Sequence, residues 1–394
     1  MSKGKEKRSI YSAIELGLSD VAAPQISLMG VTFEFNPVTG APTVALDAPR
    51  LFWGGGRGLE YLWTRMTQWE HTKLIDYRLD SARDAYKKAR SWLQLGDPPT
   101  VVAPYQILFD YRANPSRGWG TVECTGDYEF PEVLRNHREA MIHQLRKKGR
   151  LYGDSRCPRV SKFDVKEDGK IVYRVENAFY YDQVGTNLSL DYKGAFPVPG
   201  SMEIATTVRG WDVLNAGVAR GELPALEQSR LANTLGVAVA VTAVNKRGNI
   251  SLLRRLRRKK LAVYGNMWGV PLSFAVKLEG EKLETGSSTP LASLLSLNTE
   301  ILREMGMHRD DFADPTPLAF CRDLGRGGKP QLFFEMRAKV PFEEIVKRMT
   351  DNSERLKQFK SWNWLRLRLG ASLEASRYRA SPELAAAIAL LMPE

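Results

Sequence analysis

The run from Leu235 to Val244 constrains the fold of this chain more than any other stretch. It consists of leucine, glycine, valine and alanine with one threonine, Thr242. A run without polar alternation is typical of a strand that is buried on both faces of a sheet. A polar turn at 246–249 and a second apolar stretch at 250–253 follow it, so the sequence predicts a neighbouring second strand.

Length and composition describe a soluble-type globular chain. Its 394 residues allow two or three domains. We find no apolar run of about 18 residues, so no membrane span is predicted. The charged residues 1–8 precede no apolar core, which argues against a secretion signal and predicts a cytoplasmic protein. The three cysteines, Cys124, Cys157 and Cys321, are too far apart for a Cys-x-x-Cys metal site and fit a reducing compartment.

The chain is basic, with a net charge of +12 and a pI near 9.5. This charge favours anionic partners such as nucleotides, other phosphorylated anions or nucleic acid. Residues 246–260 contain eight basic residues and no acid. A second basic cluster contains Arg146, Lys147, Lys148, Arg150, Arg156 and Arg159. For each cluster, a solvated surface is the alternative interpretation.

The pattern along the chain predicts an α+β region over residues 1–225 and a second domain over 226–394, with an alternative subdivision of the first region near residue 120. In the first region we expect strands within 26–35 and 101–111, helices within 59–95 and 131–148, and a hairpin at 163–175 with an Asp-Gly turn. The polar segment 180–187 is either a ligand loop or a structural turn. In the second domain, helices are expected at 342–359 and 384–392.

Two glutamates stand four residues apart near the end of a predicted helix. Glu300 and Glu304 therefore project from one helix face. Two close carboxylates repel each other unless a cation lies between them, and oxygen ligands favour Mg²⁺, Mn²⁺ or Ca²⁺. The opposite face would pack Leu291, Leu294, Leu295, Ile301 and Leu302 against a sheet, with Gly306 ending the helix. The alternative is that both glutamates are ordinary solvated helix residues.

Residues 229–394 resemble the Nudix hydrolase family. The end of the family's sequence box is similar to Thr299-Glu300-Ile301-Leu302-Arg303-Glu304-Met305-Gly306-Met307, and its front half is similar to the segment 280–287. Thr299 stands where the family has arginine, and Arg303 stands where it has the first glutamate of a pair. The segment between the two halves is about one helical turn longer than in the family.

The resemblance implies an α/β/α sandwich around a mixed sheet. It implies that Glu300 and Glu304 hold Mg²⁺ or Mn²⁺, with Glu284 as a further metal ligand and Glu335 as an additional ligand or base. The phosphate-binding residues would be Arg254, Arg255, Arg257, Arg258 and Arg303.

Three functions follow from these observations. The first is a metal-dependent hydrolase of a nucleoside diphosphate derivative, in which water attacks phosphorus in line. The second is a catalytically inactive Nudix-like module that senses nucleotides or binds nucleic acid, which the substitutions at Thr299 and Arg303 favour. The third is a structural or assembly protein. Fold alone does not decide among them.

Overall fold

The computed structural model describes residues 105–151, 153–219, 222–257, 267–278, 282–295, 306–351 and 381–391, and the strand backbones at 25–28, 31–35, 42–46, 101–102 and 362–366. Its contacts divide the chain into two compact units, Met1–Glu70 and His71–Glu394. The predicted helix at 59–95 lies outside the described residues.

The first unit contains one antiparallel sheet of three strands. These are β1 (Gln25–Leu28), β2 (Val31–Phe35) and β3 (Pro42–Leu46), paired in that order. The strands predicted within 26–35 are therefore β1 and β2, although β1 begins one residue earlier.

The second unit is built on two larger sheets and a hairpin. Its strands are β4 (Val101–Val102), β5 (Tyr105–Asp110), β6 (Thr121–Asp127), β7 (Arg156–Val165), β8 (Ile171–Phe179), β9 (Lys193–Pro197), β10 (Ile204–Thr207), β11 (Gly236–Val244), β12 (Ile250–Leu256), β13 (Trp268–Gly269), β14 (Leu272–Ala275), β15 (Ser288–Pro290), β16 (Thr316–Asp323), β17 (Lys329–Arg337) and β18 (Trp362–Arg366). Its helices are α1 (Arg135–Lys147), α2 (Tyr180–Gly185), α3 (Val208–Asn215), α4 (Leu291–Leu294), α5 (Phe342–Asp351) and α6 (Pro382–Leu391).

The larger sheet has nine strands and is mixed, as predicted. Its main order is β13-β12-β11-β17-β16-β5-β4, with β14 beside β11 and β18 beside β12. The pair β11–β17 is parallel, and the other pairs are antiparallel. Strand β11 is buried along both faces, which is what its unbroken apolar run predicted.

The two faces of this sheet pack against different layers. One face, which includes Val239, Val241 and Phe334, packs against a four-stranded sheet of order β15-β6-β8-β7. The opposite face, which includes Ala238, Ala240 and Phe333, packs against α6. We call these the inner face and the α6 face. The layer opposite α6 therefore contains a second sheet, with the apolar side chains of Leu291 and Ile345 beside it.

Strand pairing crosses the predicted domain boundary near residue 225. Strand β5 pairs with β16, so a segment assigned to the N-terminal region lies inside the C-terminal sheet. The apolar residues of β5 predict a strand. The sequence does not show that its partner is β16, about 200 residues further along the chain. The compact units divide at Glu70.

The second unit contains a third apolar cluster, apart from the two faces of the nine-stranded sheet. Helices α1, α2 and α3 and the hairpin β9–β10 share an apolar cluster that includes Leu134, Val184, Phe196 and Trp211.

Among the described residues, no helix is long and apolar enough to cross a membrane. The thiols of Cys124, Cys157 and Cys321 are all free and buried.

Candidate functional site

The paired acids of the predicted site lie outside the described residues, as do Arg258 and Arg303. The residues that flank their helix are described. Leu291, Leu295 and Met307 are buried in the core at the inner face, with Leu294 packed against them. Gly306 has a φ of 70°, the left-handed conformation that ends many helices. The predicted burial is confirmed at Leu291, Leu294 and Leu295, but the helix α4 ends at Leu294, and Leu295 has a non-helical backbone conformation.

Glu284 lies on the loop that precedes β15. Its side chain is exposed, and its carbonyl accepts a hydrogen bond from the Ser287 amide at 3.0 Å. The same loop is fixed to the four-stranded sheet by the Gly286 amide, which donates to the Cys124 carbonyl at 2.8 Å. Glu284 therefore belongs to the edge of the smaller sheet.

Glu335 lies on the α6 face of the nine-stranded sheet. It shares that face with Phe333, because side chains two residues apart on a strand point the same way. The Thr242 hydroxyl donates to its carboxylate at 2.5 Å, and Arg337 lies 3.4 Å from the same oxygen. The sheet therefore separates Glu335 from Glu284 and from the buried flanks of the predicted acid helix.

The predicted phosphate-binding arginines divide between the two faces of β12. Leu252 packs on the α6 face and Leu253 on the inner face. By the alternation of a strand, Arg254 follows Leu252 and Arg255 follows Leu253. Arg257, just after the strand, lies 3.5 Å from Glu383 of α6. Arg254 and Arg257 thus lie on the α6 side and Arg255 on the other, so the three do not line one pocket.

Arg254 has the most distinctive environment of these arginines. Its guanidinium carbon lies 4.6 Å from the centre of the Trp268 ring, in a cation–π contact. Its Nε is buried and has no hydrogen-bond partner among the described residues. Burial lowers the pKa of Arg254, which is the direction expected for a cation without a nearby acid. This half-buried guanidinium would be stabilised by an anion.

A buried ionic cluster surrounds the beginning of α6. Arg326 Nη2 donates to Glu383 at 2.9 Å, and Arg326 Nε donates to Asp323 at 2.6 Å. Burial alone would raise the pKa of Glu383, but Arg257 and Arg326 hold it below its ordinary value. Ser381 Oγ accepts a hydrogen bond from the Leu384 amide at 3.3 Å and so caps the helix. These charges fix α6 to the turn between β16 and β17.

Lys329 and Gln331 extend this cluster toward β11, where both side chains lie close to Gly236. Both are 2% exposed. Lys329 Nζ donates to the Pro330 carbonyl at 3.4 Å, and Gln331 Nε2 has no partner among the described residues. Burial, and then the Arg326 charge, lower the pKa of Lys329 to about 7. Neither side chain reaches solvent, so these residues are part of the core.

Two other sets of polar residues are structural. His137 Nε2 lies 2.8 Å from Ser189 Oγ, but that hydroxyl donates to the Val184 carbonyl, and burial lowers the histidine pKa to about 4. Arg159, from the second basic cluster, is 5% exposed, and its guanidinium donates to Glu176 and to the Leu231 and Ser229 carbonyls.

The segment 180–187 is also structural. It forms α2 and a buried turn rather than a ligand loop, and Asn187 Nδ2 donates to the Arg326 carbonyl and to Asn233 Oδ1.

Sequence reasoning missed Trp268 as the partner of Arg254 and missed the whole ionic cluster at α6. The alternation of side chains along β12 could have predicted that Arg254 and Arg255 lie on opposite faces of the sheet. The cluster gave a weaker signal, a short glycine-rich turn with charged residues between two apolar strands. Among the described residues, no group of three or more His, Cys, Asp or Glu side chains could hold a metal ion.

The chain was compared with known families, curated sequences and solved structures. No protein-family model matches the chain, and no curated protein sequence matches it. The solved structure of a Nudix hydrolase from M. smegmatis, RenU, aligns with a TM-score of 0.24 and 15% identity over 40% of this chain and 84% of that protein. A likeness at this TM-score supports no statement about the site.

Proposed function

We propose that this protein binds a phosphorylated anion, such as a nucleotide, at a site centred on Arg254 and Trp268. The single observation behind this proposal is a half-buried guanidinium that is stacked on an indole and has no acid partner among the described residues. The net charge of +12 favours the same class of ligand.

The contact with Trp268 gives this arginine a defined position, because its guanidinium carbon lies over the indole ring at 4.6 Å from the ring centre. A guanidinium can donate two parallel hydrogen bonds to phosphate oxygens, and charge-assisted hydrogen bonds of this kind are stronger than neutral ones. A phosphate would also provide the counter-charge that Arg254 lacks.

Isothermal titration with ADP and with inorganic pyrophosphate tests the proposal. Removing a hydrogen-bonded charge costs about 1.5–3 kcal/mol, so Arg254→Gln is expected to weaken binding roughly 10- to 100-fold. Arg247→Gln is the matched control, because Arg247 is exposed on the turn after β11. Equal affinities of the two variants, with both folded by circular dichroism, would contradict an Arg254 site.

A second candidate function is metal-assisted hydrolysis of a nucleoside diphosphate derivative. The two glutamates at i and i+4 in the sequence favour it, and Leu291, Leu295 and Met307, on either side of them in the chain, are buried in the core. Glu300 and Glu304 would then hold Mg²⁺ or Mn²⁺ on the other face, with Glu284 or Glu335 assisting. The bound ion would supply Lewis-acid stabilisation of the phosphate oxygens.

Product analysis separates hydrolysis from binding alone. The protein is incubated with Mg²⁺ or Mn²⁺ and a panel of nucleoside diphosphate derivatives, and phosphate-containing products are followed. Turnover that Glu304→Gln abolishes supports the enzyme. Binding without turnover supports a sensing module. The absence of both binding and turnover supports a structural or assembly protein.

A further inference from the structure

A second basic surface lies far along the chain from Arg254, at the end of α1. Arg146, Lys147 and Lys148 are exposed there. Arg156 begins β7, and Phe179 ends β8 with 41% of its surface exposed. We call these five residues the α1–β7 surface. Residues 140–153 contain no acid.

Direct contacts join the parts of this surface. Arg146 Nη2 donates to the Tyr181 hydroxyl at 2.8 Å, which connects α1 to α2. The Tyr181 amide donates to Asp154 Oδ1 at 3.0 Å, which connects α2 to the residues before β7. Arg156 and Phe179 are direct partners in the β7–β8 ladder. These contacts connect the segments that carry the cations and the aromatic ring.

Helix stability explains only part of this arrangement. Cations in the last turn of α1 interact favourably with the helix dipole, and that would suffice for Arg146 and Lys147. It does not explain Phe179, an exposed ring with the Arg156 guanidinium carbon 5.7 Å from its centre. An exposed aromatic ring beside a row of cations is the combination that binds single-stranded nucleic acid, in which bases stack and phosphates pair with lysine and arginine.

We propose that the α1–β7 surface binds single-stranded nucleic acid. Lys147 and Lys148 contact phosphates, and a base stacks on Phe179 next to Arg156. Double-stranded nucleic acid offers phosphates but no free base, so it gains only the charge contribution. This surface is separate from the Arg254 site and does not depend on it.

Fluorescence anisotropy with a labelled mixed-sequence 20-nucleotide single-stranded DNA, over a range of KCl concentrations, tests this proposal. Each phosphate contact contributes about −0.7 to the slope of log K against log salt, so Lys147→Gln with Lys148→Gln should flatten the slope by roughly 1.4. Phe179→Leu should leave the slope unchanged and weaken binding roughly tenfold.

Matched variants keep the test decisive. Lys166→Gln with Lys170→Gln removes the same charge from exposed positions around the β7–β8 turn and should change the slope little. Arg254→Gln should leave DNA affinity unchanged. Equal slopes for the two lysine pairs overturn the proposal. Tighter binding of a double-stranded 20-mer, with no effect of Phe179→Leu, overturns it in favour of a charge-only surface.

Discussion

Replacing Gly236 by alanine tests the packing of the buried cluster under β11. An added Cβ would lie 2.2 Å from Gln331 Oε1 and 2.5 Å from Lys329 Nζ. These distances fall short of an ordinary van der Waals contact by roughly 1 Å or more. Neither side chain can swing into water, because both are 2% exposed.

The expected loss of stability follows from two opposing effects. In a strand interior, alanine instead of glycine normally stabilises by about 0.5–1 kcal/mol through lower backbone entropy in the unfolded chain. Overpacking a rigid core costs about 1–3 kcal/mol. Because two buried polar groups must move together, we expect Gly236→Ala to lower the free energy of unfolding by about 1–3 kcal/mol.

Equilibrium urea unfolding measures this difference directly. Gly118→Ala is the control, since a Cβ there would meet nothing within 4 Å. The control should leave the free energy of unfolding unchanged or raise it by up to about 1 kcal/mol. If Gly236→Ala matched the control, the close approach of Lys329 and Gln331 to β11 would be refuted.

Two further predictions concern buried charges near α6. Glu383→Gln removes the buried carboxylate that Arg257 and Arg326 share, while Arg326 keeps Asp323, so urea unfolding should show a loss of about 3 kcal/mol, against little change for the exposed Glu139→Gln. Because the folded pKa of Glu383 is depressed, its contribution is present above the unfolded value of 4.5 and is lost as pH falls through the folded value, so the gap between wild type and variant should narrow in acid. Lys329 has a folded pKa of about 7 against 10.5, so the unfolded chain binds more protons between these values. Its contribution should make stability rise with pH over that window, by up to about 1.4 kcal/mol per unit, and Lys329→Met should remove this slope. The same slope in the variant would contradict a buried amine.

Local patterns in the sequence predicted much of the fold. The apolar run of β11, the turn at 246–249 and the strand β12 all follow from residue type. The hairpin β7–β8 was predicted with its Asp-Gly turn, although the strands extend further than expected. Helices were predicted within 131–148 and at 342–359 and 384–392, and the structure has α1, α5 and α6 at these places, with α6 starting two residues earlier than predicted.

Long-range pairing was not predictable in the same way. Nothing in Tyr105–Asp110 indicates that it pairs with Thr316–Asp323, because the preference of a strand for its partner is set by the whole sheet. The charged residues of the β16–β17 turn were also missed. Charged side chains are seldom fully buried unless paired, and the partner Glu383 lies more than 50 residues away in sequence.

The geometry of the structure tests the arginines of the predicted site. The family resemblance implied that Arg254, Arg255 and Arg257 bind phosphate at one site. Strand alternation divides Arg254 from Arg255, and Arg257 is paired with Glu383. The roles of Glu300, Glu304 and Arg303 stay predictions.

The most direct test of the anion site is a crystal structure of the protein with ADP and Mn²⁺ at saturating concentration. We predict a phosphate oxygen within about 3 Å of the Arg254 guanidinium, with that guanidinium still stacked on Trp268. Phosphate bound only beside Glu300 and Glu304, or no ADP near Arg254, would contradict the proposed site.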